Sequence, residues 1–284
     1  MGRFAREVSS LMAPHYTPPL VAESQTIGGP LRFVDAIRKA PPDGSLLMHS
    51  QNSLVTLTPQ LAPNKGGYDP LKDLTPIAAL ADFTWVLVVA PHVDAKVLTV
   101  KDYLAWVTDN PESRSYGVTQ FGSIPHLMGT MLARRAGASI RPVSYASSDS
   151  IRRDLMGQSL AAAIVPVDAL RTTDAMRLRP LAVVGKQRWP TIPDVPTFAE
   201  AGFRDLEVTG WYVWAGPAGL APAVHKRLVE GLDKALADTD FAGIPALANV
   251  IGNLVTGDAL LERLRRESQY FASLTQEMRF STAT

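Results

Sequence analysis

The chain has 284 residues, 46% of them hydrophobic and 19% charged, which excludes a disordered chain and leaves room for two packed cores. Its 28 basic and 27 acidic residues are well mixed and sum to a net charge of +1, so the electrostatic footprint of a nucleic-acid binder is absent. With no cysteine, disulfides, thiolate metal sites and cysteine nucleophiles are excluded as well.

Residues 3–13 place Phe4, Val8, Leu11 and Met12 at helical spacing, so the chain opens on an amphipathic helix and not on the continuous apolar run of a signal peptide. Pro14, Pro18 and Pro19 end that helix, and Leu20-Val21-Ala22 reads as a buried strand. Gly28-Gly29-Pro30 turns into a helix through Phe33, Val34 and Ile37. Pro41-Pro42-Asp43-Gly44 is a second turn, and Leu46-Leu47-Met48 a second strand. Two strand-helix steps in succession predict a parallel sheet with crossover helices. Strands follow at 76–81 and 84–90, where Trp85 to Pro91 forms the best apolar run. That run is far short of the ~20 residues that span a bilayer. A helix from Val100 to Thr108, a strand at Ser115-Tyr116-Gly117 and a helix from Ser123 to Arg135 come next. Strands at 141–145 and 161–165 flank a helix at 148–157, and Leu181 to Val184 is another strand. Beyond the loop from Trp189 to Pro196 the pattern predicts a short helix, a strand near Trp211 to Trp214 and a helix from Pro222 to Leu236. A closing helix runs from Asp258 to Glu277, with Glu262, Arg263, Arg265, Arg266 and Glu267 read as its solvated face.

Enzyme motifs are missing: there is no GxSxG, GxxxxGK, GxGxxG or HExxH. Ser123 and His126 lie three apart at a helix start, but no orienting carboxylate or oxyanion hole is signalled, so no catalytic residue is assigned. His126 reads as a packed histidine. His15, His49, His92 and His225 are scattered without metal-ligand spacing, so neither a metal site nor a cofactor is predicted.

Five stretches in order carry a resemblance: Pro42-Asp43-Gly44; Tyr68-Asp69-Pro70-Leu71-Lys72-Asp73-Leu74; Ser115-Tyr116-Gly117 with Gly122-Ser123 and Pro125-His126-Leu127; Pro193-Asp194-Val195-Pro196-Thr197 with Glu200-Ala201-Gly202; and Trp211 with Gly216-Pro217-Ala218-Gly219. Together they resemble the Bug-type receptors of tripartite tricarboxylate transporters. The resemblance implies an α/β, two-lobed type II periplasmic-binding-protein fold with a hinge and a ligand cleft between the lobes. One lobe would comprise residues 1–90 and 218–284, the other 91–217. It further implies a solute-binding role in the periplasm, a small carboxylated metabolite as ligand, the transporter's membrane permease subunits as partners, and no catalysis. Family members begin with an export signal and a first strand. Ala5-Arg6 aligns with the helix after that strand, so the resemblance implies that both lie upstream of Met1. A cytosolic effector-sensing module of the same fold is the alternative.

Carried over residue by residue, the family's pattern assigns ligand contact to Ser50, Gln51 and Asn52, in the loop up to Ser53. It assigns the same role to Thr119, Gln120, Phe121, Gly122 and Ser123. The family's Asp-Asn pair after a strand is replaced here by Ile164-Val165, and Asp168, which follows Pro166, is taken as a further ligand contact. Helix N-termini offer unpaired N–H groups and about half a positive charge, which suits carboxylates. Each residue also has a structural reading. Gln51 and Asn52 can satisfy loop backbone, Ser123 and Asp168 can cap helices, and Phe121 and Trp211 can pack in a core. The 119–123 loop departs from the small residues of the family and carries no charge, which favours a ligand different from a tricarboxylate.

Overall fold

Residues 74–89 fold as two consecutive strands separated by Thr84 alone, the second of them the wholly buried run Trp85–Val89. The computed structural model describes residues 2–23, 29–61, 67–171, 177–204, 207–237 and 249–280. In chain order the first elements are α1 (Gly2–Met12), α2 (Gly29–Arg38), β1 (Met48–Gln51), α3 (Ser53–Thr56), α4 (Thr58–Leu61), α5 (Pro70–Asp73), β2 (Leu74–Phe83) and β3 (Trp85–Val89). Next come α6 (Val100–Asp109), β4 (Ser115–Val118), α7 (Ile124–Ala136), β5 (Arg141–Ser144), α8 (Ser148–Met156), β6 (Ala162–Pro166) and β7 (Arg179–Val183). The last are β8 (Gly210–Pro217), α9 (Pro222–Ala237), β9 (Ile251–Val255) and α10 (Gly257–Glu277). Among the described residues no helix is long and apolar enough to cross a membrane.

The chain divides into two compact units. The first comprises Met1–Asp82 and Trp211–Glu277, the second Phe83–Gly210 and Met278–Thr284.

The first unit is built on a four-stranded sheet of order β1-β8-β2-β9, in which β1 runs antiparallel to β8 and β9 antiparallel to β2. Val34 and Ile37 of α2, Met48, Trp211 and Val213 of the sheet, and Leu260 and Leu264 of α10 share one core. α1 buries Phe4, Val8 and Met12 at the spacing of one helix face, each contributing roughly 1.5–3 kcal/mol.

The second unit has a five-stranded sheet of order β5-β4-β6-β3-β7. β4 is parallel to both β5 and β6, while β3 runs antiparallel to β6 and β7. Helices start where the sequence places polar caps. Thr99 and Asp102 form a reciprocal capping box on α6, and Ser147 caps α8. Gly129 of α7 is fixed by packing: a Cβ there would lie 2.1 Å from Cζ of Tyr116, a side chain almost wholly buried.

Three expectations fail. Leu20-Val21-Ala22 forms no strand, and Val21 is 82% exposed. Three apolar residues behind two prolines offer too short a ladder to hold in a sheet. The short helix predicted after Pro196 is a turn: Thr197 bridges to Val183, Phe203 N–H bonds back to the Phe198 carbonyl, and Gly202 at φ +97° reverses the chain. A wholly parallel sheet does not form: β4 pairs parallel with β5 and β6, but β1 with β8, β2 with β9, and β3 with β6 and β7 pair antiparallel. Strand β9 and the four-residue helices α3, α4 and α5 are elements the periodicity did not signal.

Candidate ligand site

Strands β4, β5 and β6 of the second unit are parallel, so their carboxyl ends lie along one edge of the sheet. The loops there are residues 119–123, 145–147 and the 3₁₀ turn Val167–Arg171. From β4 the chain crosses through α7 to β5 on one side, then through α8 to β6 on the other. The strand order therefore reverses beside β4, the place where open α/β sheets bind ligands. The topology brings Thr119–Ser123 and Asp168 to this edge. Tyr145 N–H donates to the Val118 carbonyl at 2.9 Å, tying the β5 loop to the end of β4.

The 119–123 loop is shaped from within. Ser123 caps α7: its Oγ accepts from His126 N–H at 3.4 Å and donates to the Gln120 carbonyl at 2.7 Å. Gly122 takes φ +75°, a left-handed conformation that side chains resist, and its N–H donates to Nδ1 of His126 at 3.0 Å. Accepting at Nδ1 places the imidazole proton on Nε2. Burial pushes the His126 pKa down to about 4, so the ring is neutral near pH 7. Ser123 and the imidazole do not bond to each other, which removes the geometry of a nucleophile and its base. In the first turn of α7, Pro125 lacks an N–H and His126 N–H is capped. Ile124 N–H is therefore the helix-start amide with no acceptor among the described residues. Gln120 is exposed, Thr119 half-buried, and Phe121 half-buried with its ring centroid 5.3 Å from that of His126. Asp168 is exposed within its 3₁₀ turn and has no ion pair among the described residues.

The corresponding stretch of the first unit is different. Ser50 and Gln51 are the last residues of β1, and Asn52 precedes α3. Asn52 is fully buried. Its Nδ2 donates to Glu267 Oε2 at 3.1 Å, and its Oδ1 accepts from Trp211 N–H at 3.4 Å. Glu267 also accepts from Trp211 Nε1 at 2.8 Å and from Arg263 Nε at 3.1 Å. Arg263 lies over the Trp211 ring at 4.6 Å and donates to Asp82 Oδ1 at 2.9 Å, while Asn253 Nδ2 donates to Asp82 Oδ2 at 2.7 Å. The Asn52 side chain is thus committed to holding β1, β8 and α10 together. Arg263 and Glu267, expected on a solvated face, are only 12% and 17% exposed.

Sequence reasoning misplaced Arg263 and Glu267 and passed over Phe280 and the part His126 plays in the loop. The one local cue was the position of His126 three residues after the Ser123 cap. Among the described residues no group of three acidic, histidine or cysteine side chains is arranged to hold a metal ion.

Comparison with known proteins agrees with this architecture. The chain is 26% identical over 275 residues to Protein BugT of Bordetella pertussis, spanning 96% of this chain and 83% of that one. A solved periplasmic transporter matches with a TM-score of 0.88 and 25% identity, over 98% of this chain and 92% of that one. The fold is also that of R. palustris Rpa4515, solved with adipate, at a TM-score of 0.83 and 23% identity over 98% and 92% of the two chains. The model of the tripartite tricarboxylate transporter family receptor matches residues 4–270, nearly the whole chain, and the protein is a member of that family.

Proposed function

We propose that the protein is a periplasmic receptor that captures a small organic acid, in the first place a dicarboxylate, and delivers it to the membrane permease subunits of a tripartite transporter without chemical change. The observation that carries this reading is the uncharged loop of residues 119–123 at the strand-order reversal, followed by the Ile124 N–H that has no acceptor among the described residues. An amide at a helix start meets a carboxylate without a buried arginine. Thr119, Gln120 and Ser123 add hydroxyl and amide partners, and the Phe121 ring suits an apolar carbon chain. Asp168, an acceptor when ionised, suits a hydroxyl or amino group on the ligand rather than its carboxylate. Ser50 and Gln51 of the first unit are ligand candidates on the family resemblance alone, beside an Asn52 side chain bonded to Glu267 and Trp211. Adipate in Rpa4515, a member of the same fold, supports the ligand class.

A thermal-shift screen of mono- and dicarboxylates, aromatic acids and amino acids tests the reading. A ligand at about 100 times its Kd stabilises the fold by about 2.7 kcal/mol, which raises Tm by roughly 5–10 °C. A dicarboxylate is expected among the strongest hits. No shift from any carboxylate would contradict the assignment.

A further inference from the structure

α10 ends at Glu277 in the first unit, whereas the residues from Met278 onward belong to the second. Met278 is buried, and the ring of Phe280 lies with its centroid 4.8 Å from that of His126 at 57°. Phe121 meets the same imidazole at 5.3 Å and 60°. His126 therefore has two phenyl neighbours, one from the loop it shapes and one from the end of the chain. Its Nδ1 holds the N–H of Gly122, the left-handed residue at the turn of that loop. The family match stops at residue 270, so the Phe280 contact lies beyond the part of the chain it accounts for.

We propose that residues 278–280 complete the ligand loop of the second unit, with Phe280 acting as a positioning residue through the His126 imidazole. This rests on the reading of residues 119–123 as a ligand loop. The chain of cause is short. Phe280 and Phe121 exclude water from the ring; the dry ring stays neutral; neutral Nδ1 accepts from Gly122 N–H; and that bond sets the direction of the loop's remaining polar groups. Protonation at Nδ1 would turn the acceptor into a donor and release Gly122. Among the described residues the titratable side chain that reaches His126 is Tyr116, which donates its hydroxyl to the His126 carbonyl, and no charged group bonds to the ring. The water exclusion supplied by packing is therefore what holds the imidazole near pKa 4.

The test uses the full chain and three substitutions: Phe280→Ala, Phe280→Tyr and Phe280→Leu. Ring NMR across a pH series reads the His126 midpoint, and titration with the best dicarboxylate of the screen reads affinity. Phe280→Ala is expected to raise the His126 midpoint by more than one pH unit and to weaken binding at least 5-fold. Phe280→Tyr should restore both. Should Phe280→Ala fail to fold, Phe280→Leu replaces it, with the same signs and smaller size. Packing that serves stability alone would lower Tm and leave the midpoint unmoved. An unchanged midpoint, or an unchanged affinity beside a raised midpoint, overturns the proposal. If the wild-type chain binds no carboxylate, the functional reading fails separately, and an unmoved midpoint still overturns the brace.

Discussion

The stretches Ser50–Ser53 and Thr119–Ser123 look alike as sequence, each an uncharged and mostly polar segment after a strand signal, yet their side chains are used differently. After β1 the Asn52 amide is consumed by Glu267 and by Trp211 N–H, both distant in sequence. After β4 the loop closes on itself through Ser123, Gln120 and His126, all within four residues of Gly122, and leaves Gln120 exposed. A polar residue beyond a strand is thus a binding candidate only until a distant partner claims it. Charge separates the two as well. The first stretch is clamped by Asp82, Arg263 and Glu267, while the second is bonded only to neutral groups.

The largest effect expected from breaking this contrast is at Glu267. Glu267→Ala removes one acceptor from Asn52, Trp211 and Arg263 at once, in a site where Glu267 and Arg263 are less than a fifth exposed. Truncating one partner of a buried pair leaves the others desolvated and unpaired, at a cost of about 3 kcal/mol. Urea unfolding followed by circular dichroism measures it, and the His126 ring signals should be unchanged because the second loop does not draw on this clamp. A loss under 1 kcal/mol would mean that Asn52 is not held as described.

That clamp also marks the limit of what the chain discloses locally. Most strand and helix positions and the cap at Ser123 are legible, because periodicity, prolines and polar caps act over a few residues. The binding-protein fold is reached only through the family resemblance of the five stretches from Pro42 to Gly219. The two-unit division depends on β2 and β8 joining one sheet although Leu74 and Gly210 are far apart in the chain. The inward turn of Arg263 and Glu267 depends on Trp211, and local charge alternation reads it as solvated. The Gly122–His126 bond was within reach, since a histidine three residues after a helix cap can fold back onto the loop. The contact from Phe280 was not, because nothing near residue 280 points to residue 126.

A second, smaller effect sharpens the comparison through its two histidines. His49 of the first unit accepts from Trp214 Nε1 at 2.9 Å and stacks near Phe4 and Tyr212, with Nε2 buried and unpartnered among the described residues. Burial pushes its pKa down to about 3. An imidazole whose folded pKa lies below the unfolded value near 6.5 takes up its proton preferentially in the unfolded chain. Its share of stability is therefore whole above about pH 6.5 and is lost as the pH falls towards the folded pKa. Between pH 6.5 and 5 this amounts to about 2 kcal/mol for His49. His49→Phe should reduce the loss of unfolding free energy between those pH values by that amount. An equal pH dependence in both chains would show that His49 is hydrated.

The smallest energies fall on the ligand loop, where they test the central claim most directly. Isothermal titration of the best dicarboxylate into the wild-type chain, Gln120→Ala and Ser123→Ala compares their affinities. Each substitution removes one hydrogen-bonding side chain and is expected to weaken binding by about 1–2 kcal/mol, roughly 5- to 30-fold. Gln120→Ala should leave unliganded stability unchanged, and Ser123→Ala should lower it by about 1 kcal/mol through the lost cap. Full affinity in both variants, beside a wild-type chain that binds, would contradict the assignment of the ligand to the loop after β4.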